Sequence, residues 1–270
     1  DSTGAIDLRR FYVRRLRRLY PGLLALLAMY LVLAPVMFPS LTTTEWLVEP
    51  LAGALYLSDY YRVFGLEPNY LIHLWSLAVE EQFYLLWPLL LLGVTRLDRS
   101  SAILLLAAVF VVATAWRAWS ALYWAGEDQL YYHFDMRLSG LALGGVLGYA
   151  RIEARQWVGW IGLAGTVACV LLISKEGALY YVAGITLTEV AAALLVIGAP
   201  GTLGRLSWLG KMSYGLYLWH YPLGRWAREL GATAWEQFAV SFVLGLAFAA
   251  LSYYTVEAAF KSAGRQVRQA

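Results

Sequence analysis

The residues with the clearest capacity for chemistry lie in the run 73–84, which reads HLWSLAVEEQFY. Ser76 and Glu80 are one helical turn apart, so a helix would present both on one face. Glu80 and Glu81 are adjacent carboxylates in an apolar run, where mutual repulsion and lost hydration favour a proton-carrying or base-like role. His73 lies at the start of the run, where a solvated histidine is the alternative to a catalytic one.

Arg137, in the run DMRLSG, is predicted to be a buried charged side chain. Gly140, Gly144 and Gly148 follow at four-residue intervals, a small-residue face that allows helices to approach closely. Arg137 lies about one turn before that face, so we expect it to point into protein. Its guanidinium would bind either a carboxylate, such as Glu80, or an anionic substrate group. The sequence leaves both alternatives open.

A second polar face is predicted in the run 213–222, SYGLYLWHYP, where Ser213, Tyr217 and His220 share one side of a helix. His220 is about 13 Å along that helix from Lys211, which places it close to mid-membrane if the helix crosses a bilayer. A histidine at that depth is either a hydrogen-bonded strut or part of a proton path.

A basic cluster lies in the run 11–21, FYVRRLRRLYP, and contains Arg14, Arg15 and Arg18. One interpretation is topological anchoring beside anionic lipid, worth about 1 kcal/mol per residue near the surface. The other is capture of a phosphorylated cytoplasmic ligand by charge-assisted hydrogen bonds. Charge alone favours the first interpretation.

The composition indicates what kind of scaffold holds these groups. Of 270 residues, 60% are hydrophobic and 14% charged, which excludes an ordinary soluble domain. The 12 Trp and 19 Tyr are typical of rings that gather at membrane interfaces. A net charge of +3 gives no indication of nucleic-acid binding, and a single cysteine, Cys169, supports neither a disulfide framework nor a thiolate metal site. We predict no metal.

Eight apolar stretches have about the length that crosses a bilayer as a helix: 19–38, 76–95, 101–119, 135–150, 156–174, 178–199, 212–231 and 236–259. A ninth, 46–64, is interrupted by charge and is predicted to be interfacial or re-entrant. With both chain ends cytoplasmic, 15 of the 21 Lys and Arg residues fall on the cytoplasmic side, as the positive-inside rule requires. The sequence therefore predicts an all-α, polytopic transmembrane bundle forming a single domain over 1–270. Glu189 is a lone acid within it, with no partner named by the sequence.

Together these segments resemble the acyltransferase-3 family of integral membrane proteins. The resemblance is carried by four blocks in order along the chain: RLYP at 18–21, HLWSLAVEEQFY at 73–84, DMRL at 135–138 and SYGLYLWHYP at 213–222. It implies transfer of an acyl group, usually acetyl, from a cytoplasmic coenzyme A thioester to a carbohydrate hydroxyl. The implied acceptor is an envelope glycan at a bacterial inner membrane, with membrane lipid surrounding the enzyme.

The resemblance also implies roles for individual residues. The basic motif would bind the phosphates of acetyl-CoA through Arg14, Arg15 and Arg18. The catalytic cavity, where a base is oriented or the acceptor held, would receive His73, Glu80 and Glu81. Substrate contacts are expected from Arg137, Tyr217 and His220.

The family's opening helices, which carry an arginine and the histidine regarded as the catalytic base, find no match in this sequence. We therefore expect an N-terminally truncated domain that is inactive by itself. Two other functions are left open. A proton-coupled transporter or glycan exporter would account for the embedded Glu and His residues, and a non-catalytic membrane partner would account for the missing helices. Acetyl-CoA affinity separates the enzyme from a partner that only retains the fold.

Overall fold

The computed structural model describes residues 7–63, 69–124, 126–152, 154–174, 177–198, 204 and 207–260. Within these residues the regular structure is helical, which confirms the predicted all-α class. Eleven α-helices run in the order α1 Leu8–Met37, α2 Thr43–Ala54, α3 Ser58–Val63, α4 Leu74–Val94, α5 Arg99–Tyr123, α6 Glu127–Tyr132, α7 Leu138–Ala150, α8 Gln156–Leu172, α9 Ile185–Ile197, α10 Ser207–Glu229 and α11 Ala234–Ser252. A 3-10 turn precedes α7 at Asp135–Arg137, and π-helical turns occupy Tyr180–Gly184 and Tyr253–Glu257.

The chain is a multi-pass membrane protein. Among the described residues, five helical segments are long and apolar enough to cross a bilayer: Leu8–Met37, Leu74–Val94, Arg99–Tyr123, Tyr180–Ile197 and Ala234–Phe260. The other three predicted spans are also helical but fall short of that standard. The helix α7 has 13 residues and α8 has 17, while α10 is long enough at 23 residues but more polar.

The basic cluster is part of the first spanning helix. Helix α1 begins at Leu8, where the Asp7 side chain accepts a hydrogen bond from the Arg10 backbone N–H at 2.8 Å and caps the helix. Its 30 residues extend about 45 Å, whereas the hydrocarbon core is about 30 Å thick. The arginine-rich first turns therefore continue the helix beyond the apolar layer, with Arg14 and Arg18 one turn apart.

The interrupted stretch 46–64 lies on two short helices, α2 and α3, of 12 and 6 residues. Helix α2 starts at a capping box, in which Thr42 and Glu45 exchange side-chain and backbone hydrogen bonds. A spanning helix needs about 20 residues, so neither helix crosses a bilayer by itself. This agrees with the prediction of an interfacial or re-entrant segment.

The chain divides into two compact units. The first comprises residues 1–61, 65–78 and 206–270. Its core contains Leu23 and Tyr30 of α1, Phe38 stacked on Tyr70 with ring centroids 4.0 Å apart, and Leu218 of α10. Helices α10 and α11 pack closely, because a Cβ at Gly215 would lie only 3.0 Å from Ala249.

The second unit comprises residues 62–64 and 79–205. Its tightest helix contact joins α8 to α9, where a Cβ at Gly162 would lie 2.2 Å from the backbone nitrogen of Leu195. The predicted close packing along the α7 glycines is wrong at two positions. A Cβ at Gly144 or Gly148 would meet nothing within 4 Å. Glycines permit a close approach but do not enforce one, and α7 leaves open space beside both.

Candidate functional site

His73 is the most distinctive polar group of the first unit. It is the residue directly before α4, and only 7% of it is exposed. Its Nε2 lies 3.1 Å from the carbonyl oxygen of Leu218 on α10. Because a carbonyl oxygen only accepts, Nε2 carries the proton and Nδ1 keeps its lone pair. Among the described residues, that buried Nδ1 has no hydrogen-bond partner.

Three aromatic neighbours from α10 surround the His73 ring. Ring centroids lie at 4.9 Å for Tyr221, which is stacked, 5.6 Å for Tyr217 and 5.7 Å for His220. The Nδ1 of His220 donates to the Tyr217 carbonyl at 2.6 Å. The sequence-predicted residues His73, Tyr217 and His220 are therefore brought together, and two imidazole rings belong to one cluster.

The Tyr217 hydroxyl ties α10 to the start of α4. It donates to the backbone carbonyl of His73 and lies 2.6 Å from the Ser76 hydroxyl. A phenol has one proton to donate, so Ser76 donates to Tyr217 and Tyr217 donates to His73. Ser213 does not join this cluster, because it is exposed and donates to the carbonyl of Gly210 at 2.9 Å.

A buried carboxylate holds the segment that leads into His73. Glu49 of α2 is 3% exposed and accepts from the backbone N–H groups of Asn69 at 2.6 Å, Tyr70 at 3.1 Å and Leu71 at 2.6 Å. Burial raises the pKa of Glu49 to about 7, and these N–H groups oppose that rise because they stabilise the ionised carboxylate. The sequence identified Glu49 only as a charge that interrupts a span. Its position in the interfacial stretch gave no indication of which N–H groups it meets.

The predicted carboxylates Glu80 and Glu81 belong to the second unit. Glu80 is exposed and Glu81 is half-buried, and both take part in contacts within the structure. Their assignment to a catalytic cavity stays a prediction.

Arg137 lies in the 3-10 turn before α7. Its guanidinium donates to the Tyr131 carbonyl, from Nε at 3.2 Å and from Nη2 at 2.7 Å. The same group lies 4.9 Å from the centroid of the Tyr131 ring, within cation–π range. Arg137 is thus half-buried against protein, as expected, and its role in substrate binding stays a prediction.

Sequence reasoning missed the most deeply buried charge of the second unit, Arg117 of α5, which is 0% exposed. Its guanidinium donates to five oxygen atoms: the carbonyls of Tyr181 and Met136, the hydroxyls of Ser139 and Thr186, and the Glu189 carboxylate at 3.4 Å. Ser139 also donates to Glu189 at 2.6 Å. The lone acid Glu189 therefore has its counter-ion 72 positions earlier in the chain.

The signal that could have found this network is an arginine 18 residues into an apolar helix, where a charge requires a partner. A second signal exists only in the structure. The π-helical turn at Tyr180–Gly184 contains the Tyr181 carbonyl, which accepts from the Nε of Arg117 at 3.0 Å. Such turns often occur at functional positions of helices.

The three arginines predicted to bind the acyl donor lie on the first turns of α1. Arg14 and Arg18 are exposed, and Arg15 is half-buried. Arg14 donates from Nε to the carbonyl of Arg10 at 3.2 Å, which steadies its stem along the helix. A cluster of guanidinium groups on one helix end can bind phosphates through charge-assisted hydrogen bonds.

The chain is similar in sequence to bacterial O-acetyltransferases. The chain is 29% identical over 300 residues to the putative peptidoglycan O-acetyltransferase YrhL of Bacillus subtilis, covering 96% of this chain and 46% of that protein. It is 29% identical over 258 residues to the peptidoglycan O-acetyltransferase OatA of Listeria monocytogenes, covering 83% and 41%. It is also 29% identical over 253 residues to the O-acetyltransferase OatA of Staphylococcus aureus, covering 82% and 42%.

The chain thus spans less than half the length of these relatives. No solved structure matches it. The sequence pattern of an acyltransferase domain matches residues 2–255, which is nearly the whole chain. This match includes the His73 cluster, the Arg117 network and the basic turns of α1. The protein therefore belongs to the acyltransferase-3 family of membrane proteins, whose reactions require an acyl donor.

Proposed function

We propose that the chain forms the membrane part of an O-acetyltransferase that moves an acetyl group from cytoplasmic acetyl-CoA to a hydroxyl of an envelope glycan. The relatives named for peptidoglycan O-acetylation support peptidoglycan as that glycan. The observation that carries the proposal is the buried His73 ring, whose tautomer is fixed by Leu218 and whose Nδ1 lone pair has no partner among the described residues.

The proposed reaction is a nucleophilic acyl substitution. The acceptor hydroxyl loses its proton to a base as its oxygen forms a bond to the thioester carbonyl carbon. The resulting tetrahedral oxyanion is stabilised by hydrogen-bond donors. It then expels the coenzyme A thiolate, which takes up a proton, and the products are an acetyl ester and free coenzyme A.

We assign the chain's residues as follows. The Nδ1 of His73 accepts a hydrogen bond from the acceptor hydroxyl and thereby orients the hydroxyl proton. Tyr217 and His220 hold the His73 segment and border the acceptor. Glu80 and Glu81 are proposed to orient the base or hold the acceptor, and Arg137 is proposed to bind substrate.

The function itself is tested by expressing the full-length protein in cells that lack it and releasing ester-linked acetate from the purified cell-wall glycan with mild alkali. Acyl transfer predicts alkali-labile acetate that appears only with the protein. A glycan exporter would raise the amount of external glycan without adding acetate, and a non-catalytic partner would change neither. Either of those results would refute the proposal.

The basic turns of α1 give a prediction for the acyl donor. Replacing Arg14, Arg15 and Arg18 together with glutamine should weaken acetyl-CoA binding by the full-length protein at least about tenfold, since each charge-assisted hydrogen bond contributes about 1.5–3 kcal/mol. The measurement is isothermal titration with acetyl-CoA in detergent. Arg17→Gln is the matched control, because Arg17 is exposed on the same turns but lies outside the family motif. Unchanged affinity for acetyl-CoA in the triple variant would indicate that the basic cluster serves only as a topological anchor.

Glu80 gives a second prediction. Glu80→Gln should lower the rate of glycan acetylation about ten- to a hundredfold, the loss expected for one hydrogen bond to a charged group. Membrane insertion and thermal stability should not change, because the side chain is exposed. Glu229→Gln is the control, a carboxylate paired with Arg225 at 3.8 Å. Acetylation at the wild-type rate would show that Glu80 has no part in the reaction.

A further inference from the structure

An open groove runs along the second unit between α4 and α7, with a volume of about 850 Å³. One wall is formed by Phe83, Trp87 and Leu91 of α4, and the other by the glycine-rich side of α7. No side chain fills the space beside Gly144 and Gly148 within 4 Å. The groove is therefore a preformed apolar channel.

Trp87 sets the depth of the groove. A Cβ at Gly145 would lie 2.7 Å from the Cη2 atom of the Trp87 ring, so the indole rests directly on the α7 backbone at that point. Gly144 and Gly148 lie beside this contact and are exposed. An aromatic floor with glycine edges accepts a flexible hydrocarbon chain and offers a polar one little besides the indole N–H of Trp87.

Apart from the indole N–H of Trp87, the polar side-chain groups of the groove lie at one end. That end contains Thr95, Arg99, Tyr149 and Arg151. Arg99 donates from Nε to the carbonyl of Tyr149 at 3.0 Å and from Nη2 to that of Ala150 at 2.5 Å, which fixes its guanidinium at the C-terminus of α7. Arg151 is exposed, with its backbone in the left-handed region at φ 48°. By the positive-inside rule, this basic end is cytoplasmic.

The length of the groove matches one leaflet. From Gly140 to Arg151 the helix rises about 16 Å, and half of a hydrocarbon core is about 15 Å. We infer that the groove binds an anionic phospholipid of the cytoplasmic leaflet, with one acyl chain along the α7 glycines and its phosphate at Arg99 and Arg151. Basic pockets between membrane helices on the cytoplasmic side favour such headgroups.

The chemistry of the walls favours a lipid over coenzyme A, the other long anionic molecule in the proposed reaction. The pantetheine arm carries two amides, and burying an amide without a hydrogen-bond partner costs about 1–3 kcal/mol or more. Between Gly140 and Gly148, the lining side chains of the groove offer one polar group, the indole N–H of Trp87, which can pair with only one of the two amides. An acyl chain needs no partner there.

The test uses the full-length protein in phosphatidylcholine vesicles that contain a trace of phosphatidylglycerol with a photoreactive diazirine in its acyl chain. Illumination and peptide mapping should find the label on α4 and α7, several times more than with a diazirine phosphatidylcholine. Arg151→Gln should lower labelling about fivefold, which is 1 kcal/mol for one interfacial arginine. Gly148→Leu, which fills open space, should abolish it.

Two controls keep the result specific. Arg155→Gln removes another exposed arginine of the same connection that does not line the groove, and Gly210→Leu adds a side chain where a Cβ also meets nothing within 4 Å. Both should label as the wild type does. Equal labelling by the two lipids, an equal loss in Arg151→Gln and Arg155→Gln, or displacement of the label by acetyl-CoA would overturn the inference. Arg151 is exposed, so its variant carries the test even if Gly148→Leu fails to fold.

Discussion

His73→Gln should lower the rate of acetyl transfer by the full-length protein about a hundredfold or more, the range lost when a group that handles the reacting proton is removed. The terminal amide of glutamine reaches the position of Nε2 and can still donate to the Leu218 carbonyl, now 3.1 Å from the ring. It places no acceptor at the position of Nδ1. The variant therefore keeps the hydrogen bond to Leu218 and removes only the acceptor at the position of Nδ1.

His73→Asn is the complementary variant. Its side-chain oxygen takes the place of Nδ1, while nothing reaches Leu218. We expect it to be less stable by about 1 kcal/mol, the net value of one buried hydrogen bond, and to keep more acetylation activity than His73→Gln. The measurements are single-turnover acetylation and thermal unfolding in detergent. Wild-type turnover by His73→Gln would show that His73 is only a strut between α4 and α10.

Arg117→Met should lower the free energy of unfolding of the protein by about 3–5 kcal/mol, because it leaves the Glu189 carboxylate without its counter-ion and two backbone carbonyls without their donor in a buried site. Glu189→Gln should cost less, since the amide oxygen still accepts from Arg117 and Ser139. Chemical unfolding in mixed micelles measures both. A loss below 0.5 kcal/mol for Arg117→Met, the range of ordinary surface changes, would contradict the assigned network.

The double variant Arg117→Met with Glu189→Gln tests whether the two residues act as a pair. We expect the double variant to be more stable than the sum of the single losses predicts, with a coupling of about 0.5–3 kcal/mol. Strict additivity would mean that the 3.4 Å contact between the guanidinium and the carboxylate contributes nothing. Thr114→Val on the same helix is the control, because its half-buried hydroxyl has no partner among the described residues.

The parts of the fold that sequence reasoning predicted are those governed by local patterns. Apolar runs of bilayer length gave helices at all eight predicted positions, and the stretch 46–64, interrupted by charge, contains two short helices in its described part. Helical spacing placed Tyr217 and His220 on related faces of α10, but neither the spacing nor the family blocks predicted their contact with His73. Periodicity and length are properties of a single element, so a sequence displays them directly.

The missed contacts depend on how distant elements pack. Glu49 accepts hydrogen bonds from backbone N–H groups about 20 positions later in the chain, and Arg117 donates to Glu189, 72 positions later. Nothing in either local pattern selects one partner among several polar groups. The prediction of close packing along the α7 glycines was wrong for a related reason. Whether another helix packs against a glycine face depends on that other helix, and here the close contact is between α8 and α9. Burial of a charge predicted that a partner exists, but not which one.

The most direct measurement of the central claim places acetyl-CoA and a peptidoglycan saccharide on opposite sides of a sealed bilayer. Full-length protein is reconstituted into vesicles that enclose the saccharide, and radiolabelled acetyl-CoA is added outside. Acetyl transfer predicts labelled ester on the enclosed saccharide in vesicles whose cytoplasmic face is outward, and its loss in His73→Gln. Label that remains in acetyl-CoA or free acetate, or unmodified saccharide appearing outside, would contradict the account.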